Sequence, residues 1–324
     1  MHAVVYHRYG PPEVLDFCDI EKPTPAADEV LIQVRAASVN PYDWHFLRGT
    51  PSFIRLFTGL ARPRSPRLGA DVAGIVESVG PRAARFKPGN AVYGTCKGSF
   101  AEYACAPERT LAMKPENLTF QQAASIPIAG LTALQGLRDL GRVKAQQSVL
   151  INGAAGGVGT FAVQIAKSFG AYVTGVCSTR NLELVCSIGA DRAIDYTHED
   201  FTQSGQKYDV LFDLVGNRPL SALRRALHPK GIYVGCGGGG PDRSSASLLV
   251  MMLERALLSP FVSQRLTGVL AKANANDLDM LSGLAASGKI IPVLDKSFPL
   301  PETPAAIRHV EQCHARGKVT IAIG

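Results

Sequence analysis

Apolar residues follow two different patterns along this chain. From residue 1 to about 118 they form short runs rich in β-branched residues, divided by turn residues such as Gly-Pro-Pro at 10–12. Such runs predict strands, and no long helical period occurs before residue 119. We therefore predict a compact β-barrel or sandwich domain. Its predicted strands are 3–6, 29–36, 71–79, 91–93 and 100–105.

The pattern changes at Thr119. Thr119 to Gln122 has the form of a capping box, and an Ala-rich helical segment follows it towards Leu140. Strands and helices then alternate, which predicts right-handed βαβ units and a parallel sheet. The predicted strands are 148–152, 172–177, 192–195, 209–214 and 232–235, and the predicted helices are 157–169, 181–188 and 219–227.

The pattern of apolar residues changes again after residue 288. Strands are predicted at 288–293 and 318–323 around a helix at 304–315, and together they return to the first domain. The predicted division is a catalytic domain at 1–118, a dinucleotide-binding domain at 119–288, and a returning segment at 289–324.

A glycine-rich turn joins the first strand and helix of the alternating region. Residues 151–159 read Ile-Asn-Gly-Ala-Ala-Gly-Gly-Val-Gly, after a β-branched run and before a helical pattern. Strand, tight turn and helix in this order are typical of a dinucleotide site. Glycines let the backbone approach a pyrophosphate, and the helix N-terminus offers it N–H groups and a positive dipole end. The predicted cofactor-binding residues here are Gly153, Ala154, Ala155, Gly156, Gly157, Val158 and Gly159.

The end of the next strand indicates which cofactor binds. An NAD site would place Asp or Glu there, but this strand ends in Cys177 and Ser178, followed by Thr179 and Arg180. A hydroxyl and a guanidinium suit a 2′-phosphate, so Ser178 and Arg180 predict NADPH. Gly235 and Gly237 leave the fifth strand, at the edge where such sheets bind ligands, and are further candidate cofactor contacts.

Composition and charge bear on the kind of partner that the protein binds and on its location in the cell. The 324 residues carry a net charge of +7, which suits either a polyanionic partner or an enzyme that attracts a charged cofactor. No nucleic-acid motif accompanies the charge, so we favour the cofactor. The seven cysteines show no C-x-x-C spacing, the N-terminus has no signal-peptide plan, and no apolar stretch is long enough to span a membrane. These features predict a cytoplasmic protein.

Several motifs together resemble one family. They are Gly-Ala-Asp-Val-Ala-Gly-Ile-Val at 69–76, Lys-Pro-Gly-Asn-Ala-Val-Tyr-Gly at 87–94, Ala-Ala-Ser-Ile-Pro-Ile-Ala-Gly-Leu-Thr-Ala at 123–133, and the glycine segment with Gln164 and Lys167. Asn90 and Gln146 depart from the family pattern. Over almost its whole length the chain resembles the zeta-crystallin-like quinone oxidoreductases of the medium-chain dehydrogenase/reductase superfamily.

The resemblance implies a fold and a reaction. The fold is α/β, with a GroES-like β-barrel domain, a Rossmann domain with a doubly wound parallel sheet, and an active site in the cleft between them. The reaction is NADPH-dependent reduction of a small hydrophobic quinone or α,β-unsaturated carbonyl, and a homodimer is the expected assembly. The resemblance places Asn40 near the nicotinamide or the substrate oxygen, Thr132 near the nicotinamide, and Tyr196 near the 2′-phosphate.

Further catalytic candidates lie close to Asn40. Asp43 is expected on the same loop after a barrel strand, and Tyr42 and His45 are candidates to donate a proton to an enolate or quinol. Lys318 is expected to be a solvated lysine, with contact to the cofactor as the alternative.

We predict no metal. The alcohol-dehydrogenase branch holds zinc through a Cys where this chain has Asn40, and through a Gly-His-Glu where it has Gly-Ala-Asp at 69–71. The four-cysteine lobe for structural zinc is missing as well. Conjugated acceptors need less polarisation, because their developing charge spreads onto an oxygen that N–H or O–H donors stabilise. Two alternatives stay open: a zinc-independent alcohol or aldehyde reductase of the same fold, and a non-catalytic crystallin-like protein that binds NADPH or RNA.

Residues 50–68 interleave aromatic and aliphatic side chains with arginines. A lid or wall over an apolar substrate is the favoured interpretation, and a patch for a membrane surface is the alternative.

Overall fold

The computed structural model describes residues 1–236, 253–255, 257–313 and 315–324. These residues form two compact units, each with its own strands. The first unit comprises Met1–Leu131, Lys272–Gly288 and Pro292–Gly324, and the second comprises Thr132–Ala271 and Lys289–Ile291.

Antiparallel strands dominate the first unit. Strand β1 (His2–Tyr6) pairs with β2 (Leu15–Asp19), and a larger sheet has the order β14-β15-β3-β4-β5-β7, with β6 paired to β3. In this sheet only β14 and β15 run parallel among the described strands. The strands are β3 (Glu29–Val39), β4 (Asp71–Val79), β5 (Ala91–Thr95), β6 (Tyr103–Pro107), β7 (Leu111–Met113), β14 (Leu294–Pro299) and β15 (Lys318–Ala322).

Helices cover parts of this unit. Alternate residues of β3, including Val30, Ile32 and Val34, enter one buried apolar cluster with Trp44 and Leu47 from the first helix. The helices, numbered along the chain, are α1 (Pro41–Arg48), α2 (Arg55–Thr58), α3 (Phe120–Ala124), α4 (Pro127–Gln135), α8 (Ala275–Ala286) and α9 (Thr303–Glu311).

The second unit contains a parallel sheet. Its described strands have the order β10-β9-β8-β11-β12-β13, and every pairing is parallel. The chain order reverses between β8 and β11, which creates the switch point where open α/β sheets bind ligands. The strands are β8 (Ser148–Asn152), β9 (Tyr172–Cys177), β10 (Arg192–Asp195), β11 (Tyr208–Asp213), β12 (Leu227–Gly235) and β13 (Arg265–Gly268), and the helices include α5 (Gly157–Ser168), α6 (Leu182–Ser187) and α7 (Leu220–Arg225).

The predicted α/β class and the alternation of the second unit are confirmed. The capping box is confirmed too, because Thr119 Oγ1 accepts from the Gln122 N–H at 3.2 Å and Gln122 Oε1 accepts from the Thr119 N–H at 2.9 Å. Strands β2, β7 and β13 were not predicted, and all three are short.

The predicted strand at 288–293 is wrong. The backbone of Ile291 is hydrogen-bonded to the Gln164 side chain instead of to a strand. Gln164 Oε1 accepts from the Ile291 N–H at 2.7 Å, and Gln164 Nε2 donates to the Ile291 carbonyl at 3.1 Å. Pro292 has no N–H to give to a sheet. The strand therefore starts later, at Leu294.

The two units also divide the chain differently from the predicted domains. Residues 119–131 and 272–288 lie in the first unit rather than in the dinucleotide-binding domain. The Ile128 N–H donates to Asp71 Oδ1 at 2.9 Å, and the Tyr93 hydroxyl donates to the Leu278 carbonyl at 2.7 Å. These hydrogen bonds tie both segments to the strands of the first unit.

Candidate active site

The glycine turn at the switch point has the shape of an anion site. Gly153 has a φ of +90°, and a Cβ on Gly159 would lie 2.1 Å from the Gly153 carbonyl oxygen. Gly156 is the N-cap residue of α5, no described side chain caps the helix, and Gly157 and Val158 are partly exposed. The first N–H groups of a helix have no intrahelical partner, so they are available to an anion.

The predicted residues of the turn divide into two roles. The N–H groups of Gly153 and Ala154 both donate to the Val176 carbonyl, at 3.1 and 3.0 Å, and therefore fix the turn to β9. Ala154 and Ala155 are buried. The backbone that faces outwards is that of Gly156 to Val158, which fits the pyrophosphate of a dinucleotide.

A buried carboxylate that the sequence analysis missed holds this turn in place. Asp213, the last residue of β11, accepts from Asn152 Nδ2 at 2.8 Å and from the Gly216 N–H at 2.9 Å. The Tyr233 hydroxyl donates to its other oxygen at 3.1 Å. Asp213 therefore joins the carboxyl ends of β8, β11 and β12. The sequence did carry a signal, because Asp213 interrupts the apolar residues near the end of the strand predicted at 209–214.

The structure brings the predicted 2′-phosphate residues to neighbouring strand ends. Asp195 pairs with Cys177 in the sheet register, and the Tyr196 N–H donates to the Cys177 carbonyl at 3.0 Å. Ser178 follows β9 directly, and Tyr196 follows β10. Arg180 is exposed and Tyr196 is half-exposed, so both side chains are accessible at this edge.

The other residues predicted to contact the cofactor are Gly235, Gly237 and Thr132. Gly235 ends β12, and the following Cys236 N–H donates to the Asp213 carbonyl at 2.8 Å. Gly237 lies outside the described residues. Thr132 is the first residue of the second unit, lies within α4 and is buried.

Asn40 and Asp43 were predicted on a loop, but they lie at the start of helix α1, and Tyr42 and His45 lie on the same helix. Pro41 is the first residue of α1, and Asn40 caps it. Asp43 Oδ2 accepts from the Asn40 N–H at 2.7 Å, which satisfies one of the N–H groups at the helix start. The Asn-Pro-Tyr-Asp spacing is itself a helix-start signal that the sequence analysis did not use.

Asn40 belongs to a buried polar group that we call the Lys318 cluster. Lys318 Nζ donates to Asn40 Oδ1 at 2.5 Å, and Asn40 Nδ2 donates to Asp71 Oδ2 at 2.8 Å. Ser38 Oγ donates to the same oxygen of Asp71 at 2.7 Å. With Asp43, these residues form the cluster, and none of the five is more than 3% exposed.

Burial dominates the electrostatics of the cluster. It raises the pKa of Asp43 to about 7, with the negative charge of Asp71 acting in the same direction. Burial lowers the pKa of Lys318, and the carboxylates of Asp71 and Asp43 oppose that shift. Asp43 Oδ1 is buried without a hydrogen-bond partner among the described residues. The Lys318 ammonium lies 3.5 Å from Asp71 Oδ2, and the raised pKa means that Asp43 takes up a proton more readily than an exposed aspartate would.

The prediction that Lys318 is solvated is wrong, because its side chain is 3% exposed and bonded within the cluster. Both polar atoms of the Asn40 carboxamide are engaged in hydrogen bonds, and Asp43 is buried. Their predicted contact with nicotinamide or substrate stays a prediction.

Tyr42 and His45 differ in what they offer chemically. Tyr42 is 41% exposed, and its ring lies 4.0 Å from that of Phe46. His45 Nδ1 lies 2.8 Å from the Thr50 carbonyl, which can only accept, so we assign the hydrogen of the neutral ring to Nδ1. Burial lowers the pKa of His45, which favours that neutral ring. Nε2 is then a proton acceptor, and the Tyr42 hydroxyl is the donor of this pair.

The cluster does not fit a zinc ion. At the positions that the resemblance aligns with zinc ligands lie Asn40 and Ala70, and the Lys318 ammonium is 2.5 Å from Asn40 Oδ1. Zinc sites need three or four S, N or O ligands. Within the described ranges, no group of three or more His, Cys, Asp or Glu side chains is arranged to hold a metal ion.

Among the helices of the described residues, none combines the length and apolarity required to cross a membrane.

Two family models match parts of the chain. One is described as an alcohol dehydrogenase GroES-like domain and matches residues 26–116, and the other is described as a zinc-binding dehydrogenase and matches residues 188–321. They support the predicted pairing of a GroES-like domain with a Rossmann-like sheet.

Similar proteins cover the whole chain. The chloroplast envelope quinone oxidoreductase homolog of Arabidopsis thaliana is 32% identical over 99% of this chain and 98% of its own length. The NADPH-dependent alkenal/one oxidoreductase of the same plant is 36% identical over 99% of this chain and 79% of its own length. The structure of the quinone oxidoreductase from Coxiella burnetii superimposes with a TM-score of 0.86 at 32% identity, covering 100% of this chain and 99% of that one.

Proposed function

Because this chain belongs to the quinone oxidoreductase family of the medium-chain dehydrogenase/reductase superfamily, we propose that it reduces quinones or α,β-unsaturated carbonyls with NADPH and without zinc. The single observation that carries the proposal is the uncapped glycine turn at the switch point, in a chain similar over its length to an NADPH-dependent alkenal/one oxidoreductase. The predictions of an oxidoreductase, of NADPH and of this substrate class are confirmed by the named relatives.

The second unit supplies the cofactor site. When bound, NADPH provides the hydride, and the organic chemistry of the transfer is its own. The backbone N–H groups at the start of α5 bind the pyrophosphate. Ser178, Arg180 and Tyr196, at the ends of β9 and β10, bind the 2′-phosphate, and Arg180 supplies the charge that distinguishes NADPH from NADH.

The first unit supplies groups for the acceptor. Hydride addition to a conjugated carbonyl or a quinone leaves negative charge on oxygen, and one proton completes the two-electron reduction. The exposed Tyr42 hydroxyl is the candidate donor of that proton, because neutral His45 presents an acceptor. The Lys318 cluster acts as the positioning group, since it fixes Asn40 and thereby the start of α1.

Two points support the proposal that the enzyme needs no zinc. Asn40 and Ala70 stand where the zinc ligands of the alcohol-dehydrogenase branch would be, and the Lys318 ammonium is bonded to Asn40. Conjugated acceptors develop a negative charge that hydrogen-bond donors alone can stabilise. The homodimer and the cytoplasmic location stay predictions. All seven cysteines lie in the described residues and are free thiols.

The test is a comparison of acceptors. NADPH oxidation is followed with a quinone, an enone and a saturated ketone, with and without a zinc chelator. We expect turnover of the quinone or the enone, little turnover of the ketone, and no effect of the chelator. Preference for the ketone would support the alcohol or aldehyde reductase instead. RNA binding that weakens with salt, without oxidation of NADPH by any acceptor, would support the non-catalytic alternative.

A further inference from the structure

Residues 52–64, which we call the apolar–arginine segment, carry the largest exposed apolar side chains of the first unit. Phe53 is 54% exposed, Leu56 62%, Phe57 78% and Leu60 71%. These side chains are exposed to solvent, and the lid or wall over an apolar substrate that the sequence analysis favoured stays a prediction. Four large apolar residues exposed within eight positions exceed the scattered exposure normal for a protein surface.

Hydrogen bonds and a ring contact hold the base of the segment to the rest of the first unit. The Tyr9 hydroxyl lies 2.7 Å from both Thr58 Oγ1 and the Gly59 carbonyl. The Arg55 guanidinium donates to the carbonyls of Gly49 and Arg48 at 3.1 and 3.2 Å, and it lies 4.6 Å from the centre of the Tyr9 ring. The apolar side chains are therefore presented from a fixed platform.

The charge around the segment has one sign. No Asp or Glu occurs between Asp43 and Asp71, and the interval contains five arginines. Arg48 and Arg55 are engaged in contacts within the first unit, whereas Arg62 and Arg64 are exposed directly after the apolar residues. Exposed apolar side chains next to exposed cations complement a surface that has an anionic outer layer and an apolar layer beneath it.

We propose that the apolar–arginine segment binds the surface of an anionic lipid bilayer. Phe57 and Leu60, the two most exposed of the four, enter the boundary between headgroups and acyl chains, and Arg62 and Arg64 contact the headgroup phosphates. A bilayer fits better than a protein partner, because it accepts protruding side chains without needing a pocket of matching shape. The inference does not depend on the proposed reductase activity.

The test measures partitioning of the whole protein onto sedimented vesicles. Vesicles of phosphatidylcholine with phosphatidylglycerol are compared with vesicles of phosphatidylcholine alone, at low and at high salt. We expect binding to the anionic vesicles that falls with salt. Arg62→Gln with Arg64→Gln should weaken it by about 25-fold, at about fivefold for each charge. Phe57→Ser with Leu60→Ser should weaken it by about tenfold or more.

Matched controls are exposed residues elsewhere on the chain. Arg82→Gln with Arg265→Gln removes the same charge, and Leu270→Ser removes a leucine that is 87% exposed. Both controls should bind vesicles better than the segment variants, and circular dichroism should show all variants folded. The proposal is overturned if the wild type ignores anionic vesicles at low salt, or if controls and segment variants lose binding equally. A change confined to KM for a soluble quinone would assign the segment to the substrate, and a change confined to oligomer size would assign it to a second copy; either also overturns the proposal.

Discussion

The Lys318 ammonium donates to the Asn40 carboxamide oxygen at 2.5 Å, across 278 residues of sequence. Strand pairing makes this contact, because Val319 on β15 lies opposite Val39 on β3 in an antiparallel register. Each residue is the direct neighbour of a paired one, so the register places the lysine beside the residue that caps α1. The start of that helix is consequently fixed by the last strand of the chain.

Replacement of Lys318 should reveal how much the cluster depends on its ammonium. Lys318→Met leaves Asn40 Oδ1 and the Asp71 carboxylate buried without their cation. We expect the free energy of unfolding to fall by about 3–5 kcal/mol, measured by urea denaturation. Lys296→Met, at an exposed position of β14, should change it by less than about 0.5 kcal/mol. Equal stability of the two variants would show that the cluster needs no cation.

Asp43 should make stability depend on pH. Its folded pKa of about 7 exceeds the ordinary value of 3.8, so between these values the folded protein binds a proton that the unfolded chain has released. Stability due to this group therefore falls as pH rises from about 4 to about 7, by up to about 1.4 kcal/mol per pH unit. Asp43→Asn should remove that slope, and Asp16→Asn, at an exposed site on β2, should keep it. An unchanged slope in Asp43→Asn would mean that Asp43 is ionised throughout.

Substitution of Arg180 should change coenzyme preference. In Arg180→Ala we expect the Kd for NADPH to rise by about tenfold or more, the loss expected for hydrogen bonds to a charged group, while the Kd for NADH stays constant. Fluorescence titration with both coenzymes measures this. The control is Arg192→Ala, at the opposite end of β10, where the arginine pairs with Glu199 at 3.0 Å. An NADPH/NADH ratio that is the same in Arg180→Ala and wild type would place the phosphate contact elsewhere.

The close approach at Gly159 predicts that even one methyl group disrupts the turn. In Gly159→Ala the new Cβ would meet the Gly153 carbonyl oxygen at 2.1 Å, so the turn must open. We expect a loss of about 1–3 kcal/mol in stability and weaker binding of NADPH, by thermal unfolding and titration. Gly283→Ala in α8 has no heavy atom within 4 Å of its new Cβ and should stabilise the protein by about 0.4–1 kcal/mol. If both variants bound NADPH like the wild type, the turn would not hold the pyrophosphate.

The donor assignment predicts unequal effects of two neighbouring substitutions. Tyr42→Phe should lower the turnover of an enone at pH 7 by about 100-fold, since it removes the proton donor. His45→Asn retains an N–H for the Thr50 carbonyl and should lower turnover by less than about tenfold. Stopped-flow oxidation of NADPH compares them. A larger loss in His45→Asn would reverse the assignment.

The sequence predicted the second unit better than the first for a physical reason. Buried parallel strands need apolar residues on both faces, so β8 and β9 stand out as runs rich in β-branched residues. The bounds of β8, β9 and β10 agree with the predicted ones. Helix α1 was missed because it has only eight residues, too few to show a helical period. Its cap, Asn40, was recognised only through the family resemblance.

The Lys318 cluster was beyond prediction because it depends on which strands pair. Nothing local to Lys318 distinguishes a buried lysine from a solvated one, and the register of β15 on β3 decides the matter. The ends of β9 and β10 were easier, since parallel neighbours bring Ser178 and Tyr196 to one edge without any long-range choice of register.

The position of Asp213 separates the residues that hold the glycine turn from the residues proposed to select the coenzyme. One carboxylate bonds to the ends of three strands, among them the strand that leads into the glycine turn, while the residues proposed to bind the 2′-phosphate follow two other strands. If the proposed cofactor site is correct, coenzyme choice can evolve, or be engineered, at positions 178–180 without disturbing the residues that hold the glycine turn. Changes at Asp213 would weaken the grip on either coenzyme alike.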